Sequence, residues 1–120
     1  MATLTAKVTL TSTDVTTDNL DLAETENLTV QAPLQSISRV SVATSGQHNI
    51  LTTSDASITY VYLKNIDGSN IIVVKTDGGV AFMDLGPGEM AFLPVKGTVG
   101  LEATATGAAC VLEYGYWTKS

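Results

Sequence analysis

The chain has one cysteine, Cys110, and one histidine, His48, in 120 residues. A single thiol excludes an intrachain disulfide framework and a multi-cysteine zinc site. A single imidazole excludes every site that needs two. Six basic residues stand against twelve acidic ones, a formal charge of −6. A phosphate backbone calls for a basic face, so nucleic acid is not an expected partner. Long apolar runs are missing too. The longest, residues 71–74, is closed by Lys75, far short of a bilayer span, and no membrane association is expected. The first seven residues lack the basic region and apolar run of a secretory signal. Charged residues make up only 15%, whereas disordered chains carry high charge and low hydrophobicity. No window shows a helical stripe.

The length fits one domain, which by size scaling buries about two thirds of the surface of its extended chain. What is abundant is β-branched: 18 Thr, 12 Val and 6 Ile. These side chains are stiff at χ1 and favour pleated surfaces. Residues 4–11 alternate with period two. Leu4, Ala6, Val8 and Leu10 share one face, and Thr5, Lys7, Thr9 and Thr11 the other. Residues 14–19 read as a turn-rich break, and residues 20–22 and 28–30 as two short strands around an acidic patch. Residues 36–43 form a further strand. Its apolar positions Ile37, Val40 and Val42 change parity, which suggests a bulge. Residues 45–57 are polar and loop-like apart from Ile50 and Leu51. Residues 58–63 are apolar on both faces and predict a central strand, followed by a turn cluster at 65–70 and a partner strand at 71–76. Turns at 77–79, 86–88 and 106–107 separate strands at 80–85, 89–95, 99–104 and 109–118.

The expected fold is therefore all-β, an antiparallel β-sandwich of about eight to ten short strands with turns every eight to twelve residues. A jelly roll comes first and an Ig-like sandwich second. One domain over residues 1–120 is expected, with residues 1–32 as an N-terminal arm. That arm holds five acidic residues and one lysine, a charge of −4.

Each chemical motif meets a plainer reading. Gly86-Pro87-Gly88-Glu89-Met90-Ala91 fits G-x-G-x-x-A, but Pro94 would break the helix that a dinucleotide site needs, and no βαβ unit surrounds it. A β-turn is the better reading. A Ser-His-Asp triad would have to use His48 with Ser45 and Asp55, in a segment that reads as an exposed turn, and no nucleophile elbow is present. Asp14, Asp18, Asp21, Glu24 and Glu26 match no calcium-loop spacing and read as a solvated acidic face. A carboxylate pair for sugar hydrolysis is not singled out. Asn27-Leu28-Thr29 is a glycosylation sequon of the kind that arises by chance in a threonine-rich chain. Cys110 alternates with Leu112, Tyr114 and Tyr116 and reads as a buried thiol with no base beside it. Trp117, beside Tyr116 on the opposite face, reads as core or as an interface anchor. No catalytic, metal-binding or cofactor-binding residue is assigned, no cofactor is expected, and the chain does not read as an enzyme. The interface candidates are Thr5, Thr9, Thr11, Tyr116 and Trp117.

Residues Tyr60-Val61-Tyr62-Leu63-Lys64-Asn65, the turn Leu85-Gly86-Pro87-Gly88-Glu89 into Met90-Ala91-Phe92-Leu93-Pro94, and Leu112-Glu113-Tyr114 together resemble small jelly-roll proteins of tailed-bacteriophage virions, of the capsid-decoration and tail-associated kind. The resemblance covers residues 58–116. It implies a non-enzymatic protein on the exterior of the phage capsid, made in the bacterial host cytoplasm. It also implies a homo-oligomer, a trimer by analogy, that contacts the major capsid protein. A tail, fibre or glycan-binding receptor module is the alternative, and an exposed aromatic platform would distinguish it. The Pro-Gly-Glu turn is also similar to turns of cupins, but a cupin metal site needs several histidines. On this reading deleting residues 1–12 weakens attachment to the particle.

Overall fold

A computed structural model describes residues 2–14, 17–31, 37–51, 58–96 and 99–119, without the side chains of Ile58 and Thr59. Ten strands are present among them and no α-helix. The chain divides into two compact units at residues 32 and 33, so the arm forms a unit of its own.

The first unit is an antiparallel two-stranded ladder of β1 (Ala2–Ser12) and β2 (Leu20–Val30), in unbroken register from Ala2 opposite Val30 to Ser12 opposite Leu20. The two short strands expected around the acidic patch are thus one strand. Glu24 and Glu26 continue it because each lies opposite an alternating residue of β1, Val8 and Ala6. At about 3.3 Å per residue the ladder runs for roughly 35 Å.

The second unit is a sandwich of two four-stranded antiparallel sheets. Its strands are β3 (Ser38–Val42), β4 (His48–Leu51), β5 (Ile58–Asn65), β6 (Ile71–Lys75), β7 (Ala81–Leu85), β8 (Met90–Lys96), β9 (Leu101–Thr106) and β10 (Cys110–Thr118). One sheet has the order β3-β10-β5-β8 and the other β4-β9-β6-β7. Val42, Val61, Leu63, Cys110 and Leu112 of the first sheet and Ile50, Leu51, Ile72, Val74, Leu85, Leu101, Ala103 and Ala105 of the second form the core. β5 lies inside its sheet, as its two apolar faces predict.

Two local expectations are corrected. The β3–β10 register is continuous from Ser38 opposite Tyr114 to Val42 opposite Cys110, with no bulge. The parity change arises because Ile37 precedes the strand and sits on the outer face, where it is 44% exposed. The expected loop at 45–57 contains β4. A register shift between Asn49 and Leu51 lets the adjacent Ile50 and Leu51 both be buried, so period two fails there. Residues 52–57, the rest of that loop, lie outside the described residues.

Candidate functional site

His48 begins β4, and its ring meets Tyr114 edge-on at 6.5 Å rather than standing in an exposed turn. Ser45 lies in a bend before it, and Asp55 lies outside the described residues. Cys110 is 1% exposed and its thiol donates to the Ala108 carbonyl at 3.4 Å. Burial, and then the charge of Asp67, push its pKa up, away from the reactive thiolate. The Gly86–Ala91 pattern is a turn running into β8. Gly88, at φ 75°, takes the left-handed conformation, and Glu89 N donates to the Gly86 carbonyl at 3.0 Å. Among the described residues no three His, Cys, Asp or Glu side chains gather where they could hold a metal ion. Asp21 is on the opposite face of the β1–β2 ladder from Glu24 and Glu26.

The structure offers two surfaces instead. The first is the ladder. Thr5, Thr9 and Thr11 share one exposed face, and the Thr5 hydroxyl donates to Asn27 Oδ1 at 2.8 Å. One edge of β1 is taken by β2. The other face carries Leu4, Leu28 and the exposed Val8 (46%), Leu10 (50%) and Leu22 (38%) around Glu24 and Glu26. This apolar face was visible in β1 alone, but its exposure was not.

The second surface is the outer face of the β3-β10-β5-β8 sheet. In β5, Val61, Leu63 and Asn65 are buried, so Tyr60, Tyr62 and Lys64 point outward. Register places Trp117 and Pro94 beside Tyr60, Gly115 and Phe92 beside Tyr62, and Glu113 and Met90 beside Lys64. Tyr60 and Phe92 stack at 5.9 Å with 15° between planes, and Phe92 lies 6.5 Å from Trp117. Gly115 makes room for this arrangement. A Cβ there would lie 2.6 Å from Ile37 Cδ1 and 3.3 Å from Trp117 Cη2. Lys119 Nζ sits 5.0 Å from the centre of the Tyr60 ring.

The same face carries a polar triad. Tyr62 Oη donates to Glu113 Oε1 at 2.8 Å, and Arg39 Nε donates to Oε2 at 2.9 Å. The Tyr62 bond first, and then Arg39, hold the Glu113 carboxyl below the usual range. Burial and the neighbouring carboxylate push Tyr62 up.

Of the paired interface candidates, Trp117 faces outward, whereas Tyr116 packs against the core. Sequence reasoning held Tyr60 only among the tyrosines in general as a source of an aromatic platform, and it missed Phe92. Both sit in runs apolar on both faces, which reads as a doubly buried strand until the register shows which ring points out. No family model matches the chain, and neither a curated protein nor a solved structure matches it.

Proposed function

We propose that the chain is a non-enzymatic structural protein of a phage particle, a decoration protein on the capsid exterior that bridges subunits of the major capsid protein as a homotrimer. The uncovered apolar face of the β1–β2 ladder carries this reading. A lone two-stranded ladder is marginal in water, and this one leaves Val8, Leu10 and Leu22 between 38% and 50% exposed. A surface that covers them stabilises both the ladder and the complex. Several weak ladders in one oligomer multiply affinity on a repeating shell, and the outer strand edges, which pair with no further strand among the described residues, offer main-chain hydrogen bonds to a neighbour.

Two further observations support the reading. In the second unit each strand is followed by one in the other sheet, except that β6 and β7 form a hairpin within one sheet, giving the orders β3-β10-β5-β8 and β4-β9-β6-β7. Eight strands so interleaved favour the jelly roll over the Ig-like arrangement. The segments behind the virion resemblance are also joined physically. The Asn65 side chain donates to the Leu85 carbonyl at 2.9 Å, and Gly88 N donates to the Asn65 carbonyl at 3.0 Å.

Deleting residues 1–12 would leave β2 without its partner, so substitution in the full chain is the sharper test. Leu10→Glu with Leu22→Glu, a facing pair, is expected to abolish cosedimentation with capsid shells while the circular dichroism of the body is kept. Full binding by the double variant refutes the role of the ladder.

A second reading, a tail, fibre or receptor module that recognises a glycan, is favoured by the rings of Tyr60, Phe92 and Trp117 on one outer sheet face.

A further inference from the structure

The outer face of the β3-β10-β5-β8 sheet is unlike the rest of the chain in charge. By register and alternation, Arg39, Lys64, Lys96 and Lys119 lie on it, and among the described residues Glu113 is its one acid. Among the described residues, four cations of the chain's six and one acid give this face a formal charge of +3 in a molecule of −6. Glu113 is moreover occupied at both oxygens by Tyr62 and Arg39. Solubility alone gives no reason to gather the scarce cations around the aromatic rings. A concentrated positive field selects an anion. Flat rings at a surface, here the exposed Phe92 with the half-buried Tyr60 and Trp117, are electron-rich on their faces and select a ligand with a flat face of polarised C–H bonds. An exposed apolar patch with a polar rim marks a binding surface. A saccharide chain whose pyranose rings carry carboxylates has both properties.

We propose that this face binds an acidic, uronic-acid polysaccharide. The pyranose faces pack against Phe92 and Trp117, with Tyr60 stacked on Phe92 as its support, and the carboxylates meet Lys119 over the Tyr60 ring and Lys64 farther along the same strand. Tyr60 and Lys64 are four residues apart on β5, about 13 Å at strand rise, so the two lysines flank the ring cluster along the chain direction of a bound oligomer. Gly115 is a positioning residue, because its missing Cβ lets Trp117 and Ile37 lie across the sheet. This inference rests on the glycan-binding reading and adds the charge of the ligand.

The chain has one tryptophan, and it stands in the platform, so its emission reports occupancy directly. The full-length protein is titrated with oligogalacturonate, with maltohexaose as the neutral saccharide and with polyglutamate as a polyanion without sugar rings. Oligogalacturonate is expected to shift the emission and to bind at least tenfold more tightly than either control. Lys64→Gln and Phe92→Leu, the second keeping apolar bulk while removing the ring, are each expected to weaken that binding about tenfold, roughly 1.4 kcal/mol. Equal binding of maltohexaose overturns the acidic specificity and leaves the glycan reading standing. Equal binding of polyglutamate, unaffected by Phe92→Leu, overturns the role of the rings. No binding of either saccharide by a protein whose circular dichroism is that of a folded β-chain overturns both this proposal and the glycan reading.

Discussion

Replacing Asn65 tests how the second unit holds its loops. Asn65 is fully buried at the end of β5. Its Nδ2 donates to the carbonyls of Asn70 at 2.8 Å and Leu85 at 2.9 Å, and its Oδ1 accepts from Asp67 N at 2.9 Å. Its main chain donates to Glu89 O and accepts from Gly88 N, both at 3.0 Å. One side chain thus fixes both the β5–β6 loop and the β7–β8 turn. Asn65→Ala keeps the main-chain bonds and removes the three side-chain ones. At about 1 kcal/mol net for each bond, the loss is roughly 3 kcal/mol, against a typical domain stability of about 5–15 kcal/mol. Only the Leu85 bond is fully buried, so water restores part of the other two, and the estimate lies well below the full cost of three orphaned groups.

Asn65→Asp gives a sharper result. It preserves the shape and the acceptor but turns a carboxylate toward two carbonyl oxygens. The folded state then favours the protonated acid, so the folded pKa of the new group rises above its unfolded value of about 3.9. Its penalty is full at pH 7 and shrinks as the pH falls toward the unfolded value. Urea unfolding of wild type and both variants at pH 7 and pH 4 measures this through the midpoint at constant m-value. An Ala loss below about 1 kcal/mol, smaller than a single buried hydrogen bond, would refute the hub role. So would a deficit of the Asp variant that does not change with pH.

Three further outcomes are expected. Glu102 is 4% exposed on β9, between Asn49 and Lys75 in register, and its Oε1 has no hydrogen-bond partner. Glu102→Met, similar in length, should therefore raise stability by about 1 kcal/mol, and a loss in urea unfolding would show that the oxygen is used. Gly115→Ala should move the Trp117 emission maximum and its access to iodide, because the new methyl meets the Ile37 and Trp117 side-chain ends. Its stability should change by less than about 1 kcal/mol, since the entropy gained offsets the repacking; an unmoved spectrum would contradict the geometry. Hydrogen bonds from Tyr62 and Arg39 hold the folded pKa of Glu113 below its ordinary value of 4.5. The stability it confers is therefore present above pH 4.5 and lost as the pH falls through the lower folded value. Thermal melts of Glu113→Gln and wild type should differ near neutrality and converge in acid, and a constant difference would remove Glu113 from the acid limb.

Much of the fold was legible in the residues because period two is a local property. The Leu4-to-Leu10 alternation, the glycine turns and the doubly apolar β5 each announce themselves within a few neighbours. Legibility failed where a distant strand decided. Glu24 and Glu26 look like a break until β1 pairs across them. Ile50 and Leu51 look out of phase until a slip against β9 buries both. Asn65 looks like an ordinary turn residue until the Leu85 carbonyl arrives from twenty positions away.

The same division holds for the surfaces. By itself the sequence determined an all-β chain with one thiol, one imidazole and few cations, and therefore what chemistry it lacks. It also determined that β1 has an apolar face, since alternation requires no partner. Only the tertiary structure decided that the ladder leaves that face exposed. Likewise only register across four strands brought Tyr60, Phe92 and Trp117 together and ringed them with most of the chain's cations. Strand pairing joins residues far apart in sequence, and which ring points outward depends on the register of strands not yet adjacent in the unfolded chain.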